Sequence, residues 1–183
     1  MDLSLRIPAR GEVWLLLVAI AIPVHVRSTL IFLHQVPGYI LGNPLGEVAA
    51  IGGYVQAVAL AETLLFTGGL LFCSLMLPAG WFRDYFVPQG SALFFVMFLG
   101  LFPIHYQNQI LARVGMDAGV YTRLIAGWTL AMILLAALLT RLARRRETAR
   151  RGIISALRWA SPLAALYLAV DAVLIVFVIM RYL

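Results

Sequence analysis

Five stretches of this chain are long and apolar enough to cross a lipid bilayer, with little but turns and arginines between them. They run from about Val13 to Leu33, Val48 to Leu77, Ser91 to Leu111, Tyr121 to Thr140 and Ala160 to Met180. A helix rises about 1.5 Å per residue and needs about 20 mostly apolar residues to span the hydrocarbon. Backbone in a bilayer must satisfy its own hydrogen bonds, which leaves helices or a closed barrel. These runs are too long and too continuously apolar for alternating barrel strands. The expected fold is therefore an all-α integral membrane protein, a bundle of five transmembrane helices forming one domain over residues 1–183. Composition agrees: 12% of residues are charged, about half the share in a soluble domain.

Turn chemistry separates the runs. Val36-Pro37-Gly38 and Gly42-Asn43-Pro44 are expected to break the chain after the first span. Pro78, Gly80, Pro88 and Gly90 should do so before the third, and Gly115 to Gly119 before the fourth. Trp81 to Val87 sets aromatic residues around an Arg-Asp pair and suits a segment lying among headgroups.

Charge sets the expected direction. All fourteen basic residues are arginine. With five crossings, the N-terminus and the second and fourth connections share a side that carries ten arginines, against three on the other. The positive-inside rule makes the first side cytoplasmic and places the C-terminus outside. The setting expected is the cytoplasmic (inner) membrane of a bacterium. Trp14, Trp81 and Trp159 would mark the inner interface, and Tyr39, Tyr121 and Tyr182 the outer one. Arg6 and Arg10, an apolar run and Ala19-Ile20-Ala21 resemble a signal peptide, but the apolar run continues past Ala21, so an uncleaved first span is expected.

The second run is about 30 residues long, which implies tilt or extension beyond the membrane. Its Gly52-Gly53, Ala57 with Ala61, and Gly68-Gly69 would permit close helix contact and place it near the centre of the bundle. Cys73 lies deep in the same run and reads as a small buried packing residue.

Polar groups within the spans are costly and usually face the bundle interior. His25, Arg27, Gln56, Glu62, His105 and Asp171 form the candidate cluster, from the midplane outward. Gln107-Asn108-Gln109 adds polar groups on the outer side. One arginine cannot neutralise two acids. The second must be protonated, paired with a protonated histidine or bound to a cation. His25 and Arg27 lie about 200° apart around the helix and must meet different neighbours.

Ile22-Pro23-Val24-His25 is echoed by Phe102-Pro103-Ile104-His105. Two histidines on two helices can hold haem, but a four-residue echo without a wider repeat is slight support. No cofactor is expected, and three scattered histidines offer no metal-ligand spacing. P-loop, GxSxG, HExxH and EF-hand patterns are absent from the sequence.

The function expected is that of a non-enzymatic accessory or structural subunit, packing its helices against partner proteins or a second copy. A small transporter using the polar cluster is the alternative, and an intramembrane enzyme is a third. Nucleic acid is not expected as a partner, because the arginines flank apolar spans. Arg141, Arg144, Arg145, Arg146, Arg150 and Arg151 are expected to hold anionic lipid headgroups or an acidic partner.

Overall fold

The computed structural model describes residues 7–77, 82–105 and 117–182. These form five α-helices, and there is no strand among the described residues. They are α1 (Arg10–Gly42), α2 (Leu45–Met76), α3 (Phe86–His105), α4 (Ala118–Arg145) and α5 (Glu147–Tyr182). A single 3-10 turn at Arg83–Tyr85 leads into α3. By length and composition α1, α2, α4 and α5 can each cross a membrane. In α3 the apolar stretch Phe86–Gly100 is shorter.

Neighbouring helices in the chain run in opposite directions. Trp14 near the start of α1 donates its indole N–H to Ser161 Oγ in the first half of α5, at 2.7 Å. Gly53 early in α2 faces Val178 late in α5. Gly90 at the start of α3 faces Leu16 of α1. The starts of α1, α3 and α5 therefore share one end with the arginine-rich junction of α4 and α5.

Two expected breaks are absent. α1 continues through Pro23 and Pro37. Proline removes one backbone donor and kinks a helix, but the chain turns only at Asn43. There the backbone N–H and the side-chain amide both donate to Tyr39 O, at 2.9 and 3.1 Å. Pro88 and Gly90 lie inside the start of α3, where a missing N–H is tolerated. The arginine run after Thr140 is also helical, interrupted only where Arg146 takes an extended conformation. Arginine is a good helix former, and Arg144 and Arg145 in the last turn of α4 complement the helix dipole. Pro78, Gly80, Trp81 and Gly115 lie outside the described residues.

The central helix is α1, not α2. Half of its most apolar stretch is buried, against 28% for α2 and none for α4. α1 packs against α2, α3 and α5, whereas α4 rests mainly on α3. The main core lies toward the arginine-rich end and combines Leu16, Ile20 and Val24 of α1 with Ala59, Leu70, Phe86 and Phe94. Phe82, Phe86 and Val87 are buried in it, so the segment around the 3-10 turn packs onto the bundle.

Helical phase explains two further corrections. The buried stripe of α2 is Ala59, Thr63, Thr67, Leu70 and Ser74, with spacings of three or four residues that keep one face. Cys73 is one position off this stripe and is exposed. Gly52 meets the Phe32 ring and Gly53 meets Val178, but Gly68 and Gly69 have open space beside them. Ala61 is exposed as well. Thr63 and Thr67 donate their hydroxyls to Ala59 O and Thr63 O, each at 2.8 Å, which satisfies them within their own helix. Of the interface residues, Trp159 is exposed while Tyr121 is buried. Leu65, Phe72, Leu134, Val173 and Met180 are large, apolar and exposed. A lipid environment accommodates such a surface, and water does not.

Candidate functional site

Pro23 lies two residues before His25 in α1, and Asp171 faces this turn from α5. His25 Nε2 lies 2.7 Å from Asp171 Oδ2, with the side chains 0% and 1% exposed. Its Nδ1 lies 2.8 Å from Ala21 O, one turn back along α1. The Tyr167 ring, one turn before Asp171, rests 5.3 Å from the imidazole.

These contacts limit where the protons can sit. A carbonyl oxygen can only accept, so Nδ1 donates to Ala21 O. Two forms then satisfy the second contact. Either an imidazolium N–H donates to a carboxylate, or a carboxyl O–H donates to a bare nitrogen. In both there is one proton between Nε2 and Oδ2, and in both the pair has no net charge. A neutral imidazole facing an ionised carboxylate would set two lone pairs against each other at this distance, which is repulsive.

The second acid takes the second cation. Arg27 Nη2 lies 3.6 Å from Glu62 Oε1, with the side chains 37% and 34% exposed. The guanidinium stands 5.4 Å from the centre of the Phe98 ring of α3, where a cation is attracted by the ring face. Gln56 of α2 donates its amide to Thr29 Oγ1 of α1 at 2.9 Å. His25 and Arg27 thus engage α5 and α2 respectively, as their phase difference requires.

Glu62 and Asp171 consequently occupy different environments, one half-open and one closed. Asp171 Oδ1, Gln56 Oε1 and Arg27 Nε are buried without a hydrogen-bond partner among the described residues. The side chain of His105 and the run Gln107-Asn108-Gln109 lie outside those residues. Both ring nitrogens of His25 are committed to protein partners. No group of three or more potential metal ligands occurs among the described residues.

The arginines divide into sets. Glu147 pairs with Arg151 at 3.1 Å and with Arg150 at 3.6 Å. Arg150 also stands 5.9 Å over the Tyr85 ring. Arg150 and Arg158 line a cleft of about 470 Å³ with Glu12 and Asp84, between the starts of α1 and α5 and the 3-10 turn. Arg141 and Arg144 line a different cavity, beside α3. Arg145 and Arg146 are exposed at the α4–α5 junction. Sequence reasoning did not single out Ser161, Tyr167 or Phe98. Their roles follow from packing partners that periodicity does not name.

The Arg27–Glu62 contact is long and only partly enclosed, so Arg27→Ala should lower stability by about 1 kcal/mol, as for other polar contacts between membrane helices. Thermal denaturation in detergent checks this; no shift in the midpoint would remove the pair from the account. The chain matches no protein-family model, no curated protein and no solved structure.

Proposed function

We propose that this protein is a non-enzymatic accessory or structural subunit of a bacterial cytoplasmic membrane, acting by helix packing against partner proteins or a second copy. The observation that carries the reading is the closed His25–Asp171 pair, 0% and 1% exposed, together with the separate pairing of Glu62 to Arg27. A transporter using both acids would set them on one water-accessible path. Here each acid has its own counter-group on another helix, an arrangement that locks neighbours together. The apolar exterior of α4 and α5 supplies contact area for lipid or a partner.

In this reading all five helices cross, with the arginine-rich end in the cytoplasm and the C-terminus outside. The twenty residues of α3 reach about 30 Å, one hydrocarbon thickness. The arginine imbalance supports the direction. Transport is the second reading. It draws support from the shared proton and the unpartnered Asp171 Oδ1, both features of a site that could exchange a proton if it opened.

Extraction from the native host in a mild detergent, followed by mass determination of the intact particle, tests the proposal. Reproducible partner chains or a defined oligomer are expected. A particle holding one copy of this chain alone would overturn the subunit reading in favour of transport.

A further inference from the structure

Two cavities lie along the seam of α3 and α4 and share Leu93. The first, about 390 Å³, is lined by Thr140, Arg141 and Arg144 of α4, by the buried Gln89 of α3, and by Leu77 and Phe82. The second, also about 390 Å³, is lined by Val96, Met97 and Gly100 of α3 and by Met132 and Ile133 of α4. Leu93 lines both, and Ala137 of the first neighbours Ala136 of the second. Joined at Leu93, they would make one groove with an arginine head and an apolar tail.

At the apolar end α3 carries no side chain at Gly100. A Cβ there would stand 3.4 Å from Met132 Cγ. Gly100 and Met132 thus pass close together, and the groove runs alongside. Its polar end is built by helical spacing: Arg141 and Arg144 are three residues apart and share a face of α4. Thr140 donates its hydroxyl to Ala136 O at 2.8 Å, so it turns back along its own helix beside the arginines.

We infer that this groove is a binding site for one anionic phospholipid, with its phosphate at Arg141 and Arg144 and an acyl chain along the Leu93–Met132 tail. The inference rests on the membrane orientation proposed above, which sets the arginine end at the inner interface. Length fits: Arg141 to Thr129, which also lines the tail, is twelve residues or about 18 Å along α4. One leaflet of hydrocarbon is about 15 Å deep. Charge fits as well, because arginine presents a planar fork of donors matched to phosphate oxygens. The two ends select together. The tail accepts any acyl chain, while the head favours a negative headgroup over a zwitterionic one.

The site separates arginines that look equivalent in the sequence. Arg145 and Arg151 line neither part of the groove. Arg141 and Arg144 alone among the six expected lipid contacts line it.

Native mass spectrometry of the purified protein tests the inference, with phosphatidylglycerol and phosphatidylcholine of identical acyl chains as probes. Phosphatidylglycerol should be retained as a single adduct at roughly thirtyfold lower concentration, the scale expected for two interfacial arginines. Arg141→Gln with Arg144→Gln should abolish that preference, and Arg145→Gln with Arg151→Gln should keep it. Ala136→Phe, which narrows the junction of head and tail, should weaken retention of both lipids. Equal retention of the two lipids by the unaltered protein would overturn the site. Equal loss in both double variants would reduce it to general surface attraction and also overturn it. Competition by glycerol phosphate as effective as that by the diacyl lipid would show a phosphate site without a lipid tail, with the same consequence. Should the Arg141 and Arg144 variant fail to fold, the comparison of lipids on the unaltered protein and the control variant still decides. None of these outcomes depends on which chains accompany the protein in its native particle.

Discussion

Asp171→Leu is expected to lower the unfolding free energy by about 3 kcal/mol, the upper part of the range for stranding a buried polar group. The substitution leaves His25 Nε2 facing an isobutyl group in a closed site with no water to replace the lost partner. Asp171→Asn should cost less than about 1 kcal/mol, because the amide can donate to a bare Nε2 while Nδ1 keeps its bond to Ala21. Combining His25→Leu with Asp171→Leu should recover much of the loss, since no stranded polar group remains. Reversible unfolding in mixed detergent micelles measures all three. Equal costs for the Leu and Asn variants would mean that the hydrogen bond is not what holds α1 to α5.

Gly90→Leu should cost about 1–3 kcal/mol, the usual range for overpacking a filled core. A Cβ at this position would stand 2.8 Å from Leu16 Cδ1, and Leu16 is fully buried. The side chain therefore cannot move aside cheaply. Leu16→Ala made in the same chain should return a substantial part of the loss by vacating the contested volume. Between lipid-embedded helices the gain is packing, because lipid tails are as apolar as the core. Close approach of α1 and α3 is thus a real contribution, and its removal should be visible in the same unfolding measurement. Independent, additive losses from Gly90→Leu and Leu16→Ala would contradict the contact.

The helices were legible because about 20 apolar residues in a row have few other solutions. Their ends were less so. Pro37 reads as a break on local grounds, yet α1 carries it within a helix extending to Gly42. The helical arginine run was legible in principle: from Arg141 to Arg151 it contains neither glycine nor proline. Cys73 and Ser74 are adjacent in an apolar run, and only the rotation of α2 decides which is buried. That rotation depends on neighbours, as does the central position of α1.

The candidate site shows the same division. Charge arithmetic on Arg27, Glu62 and Asp171 required a further counter-group or proton, and the phase of His25 against Arg27 required two different neighbours. The pairing itself, His25 with Asp171 and Arg27 with Glu62, depends on which helices touch and at what height. A span list contains neither. The lipid groove was legible only as a run of arginines, because its tail is formed jointly by α3 and α4.

Whether water reaches the His25–Asp171 site is read out by thiol accessibility. In a Cys73→Ser background, Ser28→Cys places a thiol one turn from His25 at a buried position, and Gln35→Cys places one at an exposed position further along α1. A membrane-impermeant maleimide should label the thiol at 35 and leave that at 28 unmodified in native membranes. Labelling at 28 as fast as at 35 would show water reaching the pair, and would contradict a sealed structural lock.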